Sequence, residues 1–267
     1  MAIITISRGS FSKGKEVAEK VAKKLRYTSV SREVIIRASE EFNIPEIKLA
    51  RAIHDAPSFL ERFTFGRERY LAHIESTILD YCQRDKVVYH GLAGHFFVKD
   101  VAHVLKVRII ADLDDRIAVD MARRKISRQQ ALEQLEADDY ERRQWSLKIF
   151  GVDNADPKLY DLVLSIHRLT VNDAVNIICH TVQLPRFKTT AASRKTMNNL
   201  ALAARVKAAI VSQYPTSTVT AHGGRVLVHL KASGVLEPAI KDEIKSLAKK
   251  IPGVKGIRIH VIPISLI

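Results

Sequence analysis

The chain has 267 residues, 46% of them hydrophobic and 6% aromatic, which allows a large core and is typical of an ordinary soluble protein. The first residues enter a predicted strand without a signal-peptide pattern, and no apolar run is long enough for a membrane span. We therefore expect a cytoplasmic protein. Its two cysteines, Cys82 and Cys179, lie in helical and partly apolar stretches, which favours buried free thiols over a disulfide or a metal site.

The net charge of +14 is concentrated in the last third of the chain. From residue 183 to the end there are 14 Lys and Arg residues against 3 Asp and Glu, whereas the residues before it carry 29 against 26. This asymmetry predicts two units with different partners.

The chain opens with a β-rich run at residues 3–6, a glycine-bearing loop and an amphipathic helix. The loop fits the phosphate-loop pattern Gly-x-x-x-x-Gly-Lys-[Ser/Thr] everywhere except at its last residue, Glu16. Glycines let backbone N–H groups turn toward a polyphosphate, the helix directs its positive end at the anion, and Lys15 would reach the β- and γ-phosphates. A tight strand-to-helix connection is the alternative. The predicted phosphate ligands are Gly9, Ser10, Ser12, Lys13, Gly14, Lys15 and Glu16.

Further strands and helices follow in alternation. The pattern predicts strands at residues 27–30, 86–90, 105–111 and 161–166. It predicts helices at 32–42, near Pro45, at 67–84, after Asp112, from the capping box Ser127-x-x-Gln130, and from Thr170 to about Val182. This alternation indicates an α/β fold, with a parallel sheet that carries helices on both faces.

A second, smaller domain is predicted at the C-terminal end. Residues 183–199 lose the periodicity and gain Thr, Ser, Arg and Lys, which is typical of a linker or wrapping arm. Beyond them an αββαβ pattern appears, with helices at 200–213 and 237–250 and strands at 218–221, 225–230 and 257–262. A unit of roughly 65 residues can fold alone. We therefore predict domains at residues 1–182 and 200–267, joined by 183–199.

Arginines between residues 121 and 145 give a second indication of phosphate chemistry. Bidentate guanidinium groups that close over a phosphoryl group stabilise the charge on its oxygens. A solvated helix with ion pairs such as Asp139 with Arg142 is the alternative. The candidates, some of which would belong to a lid, are Arg123, Arg124, Arg128, Arg142 and Arg143.

Three segments resemble the cytidylate kinase-like proteins, which belong to the P-loop nucleoside monophosphate kinases: ITISRGSFSKGKEVAEKVAKKL, DDYERRQW and YDLVLSIHRLTVNDAV. Ser7-Arg8 and Lys15-Glu16 match the ends of the family's first strand and loop, so Glu16 follows this subfamily and not the general motif. The resemblance covers about residues 1–182. It implies a five-stranded parallel sheet, ATP as the phosphate donor, Mg²⁺, and a nucleotide or another phosphate acceptor.

The resemblance also implies roles for single residues. Lys15 and the loop amides would hold the phosphates, and Arg142 and Arg143 would close from a lid with help from Arg123 or Arg128. The implied acceptor ligands are Arg8, Arg32, Arg37, His90 and Gly91, although exposure on a polar helix face accounts equally well for Arg32 and Arg37.

The sequence departs from the family at several of these positions. Phe11 and Lys13 stand where relatives tend to have glycine, which makes the loop bulkier. Leu92 follows Gly91 where the family usually has arginine, and Ser31 replaces a common acidic residue. Either the acceptor differs, or catalytic power is reduced.

Polar residues follow two predicted strands, at the edge where open α/β sheets place their ligands. His90 would contact phosphate or transfer a proton; with His95 it would suggest a metal, but no carboxylate or cysteine accompanies the pair at ligand spacing. For His95 we expect a hydrogen-bonded structural role. Asp112 would either orient Mg²⁺ or cap the next helix, and Glu16 is the other candidate metal ligand.

The C-terminal unit resembles a BON domain, through its αββαβ order, Gly223-Gly224 and the run at residues 251–257. This resemblance implies phospholipid binding, and a regulatory or dimerising appendage is the alternative. The expected function is ATP-dependent phosphoryl transfer to a small molecule, with a nucleoside monophosphate first. The rival is a nucleotide-sensing protein with little turnover whose basic domain binds anionic membrane or nucleic acid. Homo-oligomer formation is left open.

Overall fold

The computed structural model describes residues 2–31, 33–42, 66–91, 94–98 and 100–263. Their contacts divide them into two compact units: the first spans residues 2–33 and 84–190, and the second spans 34–42, 66–83 and 191–263, within the described ranges. The second unit thus takes in two segments from the first half of the chain. The domain boundaries predicted above stay predictions, and the helix predicted near Pro45 lies outside the described residues.

The helices, in chain order, are α1 (Gly14–Leu25), α2 (Glu33–Phe42), α3 (Gly66–Cys82), α4 (Gly94–Phe97), α5 (Leu113–Arg124), α6 (Arg128–Phe150), α7 (Val171–Thr181), α8 (Ala191–Ile210) and α9 (Glu237–Lys249). The strands are β1 (Ile3–Arg8), β2 (Thr28–Val30), β3 (Val87–His90), β4 (Val104–Ala111), β5 (Leu162–Ile166), β6 (Thr218–His222), β7 (Arg225–Ala232) and β8 (Gly256–Pro263). Single 3-10 turns lie at Pro157–Leu159, Pro185–Phe187 and Gly234–Leu236.

The first unit is built on a five-stranded sheet of order β2-β3-β1-β4-β5, in which every neighbouring pair is parallel, as predicted. The central strand β1 is apolar on both faces because both are covered, and Ile3, Ile4 and Ile6 are fully buried. Parallel pairing brings the carboxyl ends of β1, β3 and β4 to one edge of the sheet. The loop after β1 and the residues after β3 and β4 therefore meet there.

Helices α1 and α7 cover one face of this sheet. Val17 and Val21 of α1 and Ile178 of α7 pack with Ile4 and Ile6 of β1 in one buried cluster. The predicted capping box at Ser127 forms at the start of α6, and a second capping box forms at Thr170, the predicted start of α7. These caps fix where the two helices begin, and α6 runs from its cap back to the loop after β1.

The second unit contains a three-stranded sheet of order β6-β7-β8, with β6 antiparallel and β8 parallel to β7. This sheet and its flanking helices α8 and α9 confirm the predicted αββαβ order. Val206 of α8 and Ile244 of α9 pack with Val228 of β7 in the core of this unit. The resemblance of the unit to a BON domain stays a prediction.

Helix α8 begins at Ala191, so the prediction that residues 183–199 form a linker is wrong for its second half. Ser193, Met197 and Ala201 are buried at helical spacing, and α8 packs along α3. The sequence did not reveal this face, because its buried residues are small or polar and its partner lies far away in the chain.

Cys82 and Cys179 are both buried and neither forms a disulfide within the described residues, as expected. Within the described ranges, every helix is too short or too polar to cross a bilayer.

Candidate functional site

The loop between β1 and α1 turns through two residues in the left-handed conformation, Phe11 (φ 56°) and Lys13 (φ 59°). The family resemblance implies glycine at both positions, and glycine adopts this conformation without strain. The glycine at the start of α1 is required for another reason. A Cβ atom on Gly14 would lie 2.6 Å from Cβ of Arg8, so the loop closes tightly on the end of β1.

The N-terminus of α1 offers unsatisfied backbone donors to the loop. Lys13 occupies the N-cap position without a side-chain hydrogen bond to the helix, and the N–H of Val17 bonds to the Lys13 carbonyl at 3.1 Å. The amides of the first turn, Gly14 to Glu16, thus have no intrahelical acceptor. An uncapped helix N-terminus after a tight loop is a favourable place for an anion.

Lys15 and Glu16 lie at the surface of this first turn. The Lys15 side chain is 66% exposed and its ammonium is 3.7 Å from Glu19, so it is held only weakly. Glu16 pairs with Lys20 at 2.9 Å, one turn along the helix. Both side chains line the cavity described below, and Lys15 is mobile enough to turn toward an anion there.

The guanidinium group of Arg142 reaches the backbone of Arg8 beside the loop. Nη1 of Arg142, from α6, donates to the carbonyl of Arg8 at 2.8 Å. Burial, followed by the nearby Arg142 guanidinium, lowers the pKa of Arg8, and burial also lowers the pKa of Arg142. Nε of Arg8 is buried without a hydrogen-bond partner among the described residues. A bound anion would stabilise two half-buried like charges of this kind, one of which has an unused donor.

Acidic residues of α6 hold the loop from the other side. The hydroxyl of Ser10 donates to Asp138 at 2.7 Å. Arg116 of α5 donates to both carboxylate oxygens of Asp139 at 2.8 and 3.0 Å, and its Nε donates to the Ser10 carbonyl at 2.8 Å. Ser12 turns inward and donates to the Gly9 carbonyl at 3.0 Å. The loop is therefore fastened to both α5 and α6 by named hydrogen bonds.

Phe11 adds an apolar contact to these bonds. Its ring packs against a small buried cluster of Ile117, Ala131 and Leu135, which joins α5 to α6. The guanidinium carbons of Arg123 and Arg124 lie 5.8 and 5.4 Å from the ring centre. The bulky side chain of Phe11 thus anchors the loop to α5 and α6.

Two cavities border the loop and share Arg8, Ser12 and Arg142. The first has a volume of about 670 Å³ and is lined by the loop, the first turn of α1, Arg123, Arg124 and Asp138. The second has a volume of about 370 Å³ and adds Arg108, Arg116 and Arg143 to its lining. Together they provide room for two anionic groups beside one pair of shared arginines.

At the end of β3, His90 is buried and its Nδ1 has no hydrogen-bond partner among the described residues. Burial, and then the Arg8 guanidinium, lowers the pKa of His90 to about 4, so the ring is neutral at pH 7. Gly91 and Gly94 make room for the ring of Tyr89, since a Cβ atom would lie 2.7 and 2.3 Å from its atoms. The glycine after β3 is thus explained by packing.

A buried network of polar residues contacts the backbone of Arg142 through Asn154. Tyr160 donates to the carbonyl of Asn154 at 2.8 Å, and its oxygen lies 3.3 Å from Nε2 of His95. Arg108 also donates to that carbonyl, at 2.6 Å, and the Asn154 amide lies 3.5 Å from the Arg142 carbonyl. The expected structural role of His95 is confirmed. Burial, followed by the charge of Arg108, lowers the pKa of His95 to about 3.

Other predicted site residues have protein partners. Arg143 pairs with Asp153 at 2.8 Å and lines the second cavity, whereas Arg128 pairs with Asp114 at the surface. Asp112 caps α5 by accepting from the N–H of Asp114 at 3.0 Å, as the capping alternative predicted.

Arg37 belongs to the second unit, where it pairs with Asp80 at 3.1 Å, and Arg32 lies outside the described residues. The acceptor roles of both stay predictions. Within the described ranges, His, Cys, Asp and Glu residues form no group of three that could hold a metal.

Sequence reasoning missed Arg116, Asp138 and Arg108. Arg116 is one turn from the cap residue Asp112, a position that only the fold brings to the loop. Asp138 directly precedes the segment Asp139–Arg143, which was singled out from the sequence. Its carboxylate is a possible partner for a loop that contains two serines, and this was the signal that could have identified it.

Comparisons with known proteins agree with this geometry. A family profile described as "Cytidylate kinase-like family" matches residues 3–168 of the chain. No curated protein matches the chain. A crystal structure of an uncharacterized protein from Eubacterium ventriosum has a TM-score of 0.53 at 18% identity, over 69% of this chain and 99% of that one, and therefore shares the fold.

Two shikimate kinases give weaker matches. The enzyme from Acinetobacter baumannii, solved with shikimate, matches at a TM-score of 0.40 and 14% identity, over 70% of this chain and 96% of its own. The enzyme from Bacteroides thetaiotaomicron matches at a TM-score of 0.44 and 10% identity, over 68% of this chain and 99% of its own. Neither similarity informs the choice of substrate. Since the family profile spans well over half of the residues, the chain belongs to the cytidylate kinase-like family.

Proposed function

We propose that the protein is a kinase that transfers the γ-phosphoryl group of ATP to a small-molecule acceptor, with a nucleoside monophosphate as that acceptor. Family membership supports phosphoryl transfer. The observation that carries the proposal is the pair of half-buried arginines Arg8 and Arg142, joined by the hydrogen bond from Arg142 to the Arg8 carbonyl, beside the uncapped N-terminus of α1. This arrangement favours a multiply charged anion over any neutral ligand.

The residues of the loop would bind the polyphosphate of the donor. The amides of the first turn of α1 and the Lys15 ammonium supply positive charge on one side of the first cavity. Arg8 and Arg142 line both cavities, so they face the region through which a phosphoryl group passes from donor to acceptor. Guanidinium groups placed there stabilise the charge that develops on the transferred oxygens.

The residues present also suit ATP with Mg²⁺. The unused Nε donor of Arg8 and the open amides of α1 fit phosphate oxygens. Magnesium binds through one or two carboxylates together with the phosphates and water, so a preformed three-residue cluster is not required. Asp138, Glu16 and Glu19 are the carboxylates of the first cavity, and Asp138, next to the loop serine, is the best placed. The metal supplies charge neutralisation on the phosphates.

A coupled assay of ADP release, run with ATP and each nucleoside monophosphate in turn, tests the proposal. We expect turnover with at least one monophosphate, and a loss of about 100-fold or more in kcat/KM for Lys15→Ala, because the ammonium contacts the transferred charge. Lys23→Ala is the matched control: this lysine is exposed on the same helix, away from both cavities.

Three outcomes would contradict separate parts of the proposal. ATP binding by calorimetry without ADP release for any monophosphate or other acceptor would leave a nucleotide-binding protein and reject the kinase. Unchanged binding and turnover in Lys15→Ala would instead reject the placement of the site. Turnover with a non-nucleotide acceptor only would retain the kinase and reject the monophosphate.

A further inference from the structure

The sheet of the second unit has one covered face and one open face. Val226, Val228 and Leu230 of β7, together with Ile259 and Val261 of β8, point into the core beneath α8 and α9. Side chains alternate along a strand, so the residues between them point away from the helices. Among the described residues, these outward side chains are exposed or half-exposed, and no element packs over them.

The strand register arranges the open face in rows. His222, Arg225 and Gly256 lie side by side, followed by Thr220, Leu227 and Arg258, then Thr218, His229 and His260, and finally Lys231 with Ile262. A depression of about 630 Å³ lies along the first two rows and includes Lys255. Cations and histidines therefore recur across the whole face.

Charge is strongly segregated in this unit. The strands and the turn before β8, residues 218–232 and 253–263, contain no Asp or Glu. The three acidic residues after position 183 all lie on α9, where Glu237 and Asp242 pair with lysines of the same helix and Glu243 accepts from Tyr214. Within the described ranges, Arg225, Lys231, Lys255 and Arg258 have no carboxylate partner.

The kind of polyanion follows from the flatness and the side chains of the face. A three-stranded sheet has no helix or ribbon to enter a duplex groove, but it can present splayed bases to flat side chains. His229 and His260 supply such planes, with ring centres 5.2 Å apart, and arginine guanidiniums stack on bases as well. The two large apolar side chains, Leu227 and Ile262, give little area for insertion into a bilayer interface.

We propose that the open face of β6, β7 and β8 binds single-stranded nucleic acid, with Arg225, Lys231, Lys255 and Arg258 on the phosphates and His229 and His260 stacking on bases. The inference is independent of the kinase site, because none of these residues lines its cavities. A second depression, of about 570 Å³, shares Lys255 and adds Lys195 of α8, so the basic surface continues past the sheet edge.

Fluorescence anisotropy of the full chain with labelled single strands of about 20 nucleotides, DNA and RNA of mixed sequence, tests this surface. Arg225→Gln with Arg258→Gln should lower the affinity at least tenfold and reduce the slope of log K against log salt by about 1.4, the value for two phosphate contacts. Lys245→Gln with Lys249→Gln removes the same charge from the exposed side of α9 and should change the affinity less than twofold.

Stacking has a different signature from charge. His229→Ala with His260→Ala should weaken binding at least fivefold and leave the salt slope unchanged. Circular dichroism and ATP binding establish that each variant is folded. Failure to bind any single strand at low salt, equal losses in the arginine and lysine pairs, or tighter binding to the matching duplex would each overturn the proposal. Binding to anionic vesicles without binding to oligonucleotides would assign the face to lipid and also overturn it.

Discussion

The phosphate loop of the first unit and the open sheet of the second are both basic, but their cations are held differently. Around the loop, Arg116 is fixed by Asp139, Arg124 by Asp120 and Arg142 by the backbone carbonyl of Arg8. On the open sheet, the arginines and lysines have no such partners among the described residues. Fixed guanidiniums preorganise a site for one small ligand, whereas unpaired ones suit a polymer of phosphates that is bound in many registers.

The largest expected effect lies on the fixed side. Arg142→Ala should lower kcat/KM of the kinase reaction by about 1,000-fold, because a half-buried guanidinium that faces both cavities supports the transferred charge. Arg143→Ala is the matched control, since its neighbouring guanidinium is largely exposed and paired with Asp153. Steady-state kinetics should show a loss of about tenfold or less for the control. Equal losses for both would remove the distinction between them.

The next largest expected difference between the two regions is the salt dependence of ligand binding. If four cations of the open sheet contact phosphates, raising salt from about 50 to 200 mM should weaken single-strand binding about 50-fold. Binding of ATP at the loop, where the charges are partly buried and the amides are fixed, should weaken less than about tenfold over the same range. Anisotropy for the oligonucleotide and calorimetry for ATP measure both. A similar salt dependence for the two ligands would contradict the contrast.

Most of the fold could be predicted from local signals. The capping boxes at Ser127 and Thr170 and the apolar strands of the first unit fix helix starts and a parallel sheet through interactions within a few residues. The start of α8 at Ala191 could not be predicted, because its buried face is defined by packing on α3, far away in the chain.

The candidate site was predicted in part, and for a similar reason. The loop and Arg142 follow from a motif and a charged cluster. The bond from Ser10 to Asp138 joins residues 128 positions apart, so no local pattern announces it. In the second unit, the sequence drew attention to the lysines of α9, whereas the strand register shows that the unpaired cations share the open sheet.

Acid should destabilise the first unit through buried histidines that remain neutral. A histidine titrates near 6.5 when unfolded and His95 near 3 when folded, so the unfolded state takes up protons first and stability is lost as pH falls from about 6.5 toward 3. When the pH is lowered from 7 to 5, the free energy of unfolding of His95→Gln should therefore fall by about 2 kcal/mol less than that of the parent protein. Urea unfolding at the two pH values measures both.

The control variant, His167→Gln, should change the acid-induced loss of stability in the opposite direction. Asp115 raises the pKa of His167, so the folded state there takes up the proton more readily. His167→Gln should leave the acid loss equal or greater. A smaller loss for His167→Gln than for His95→Gln would contradict the assignment of the effect to burial.

The smallest predicted effect concerns the backbone. Among the described residues of the second unit, the left-handed positions are all glycines, Gly223, Gly224 and Gly253, whereas those of the phosphate loop are Phe11 and Lys13. A left-handed residue other than glycine costs about 1–2 kcal/mol, and glycine costs about 0.5–1 kcal/mol in unfolded-chain entropy. Lys13→Gly, which removes no capping bond, should thus raise the free energy of unfolding by about 0.5–1 kcal/mol.

Lys23→Gly on the same helix provides the comparison, since its backbone is helical and the substitution should lower stability by about 1 kcal/mol. Urea unfolding of both variants measures the difference in sign. If Lys13→Gly were also destabilising, the lysine would have to make a favourable interaction in the folded loop that offsets its strain. If Lys13→Gly is stabilising, the loop retains a strained residue that lines the cavity. The positive charge of Lys13, which glycine lacks, is then the property that accounts for a lysine at this position.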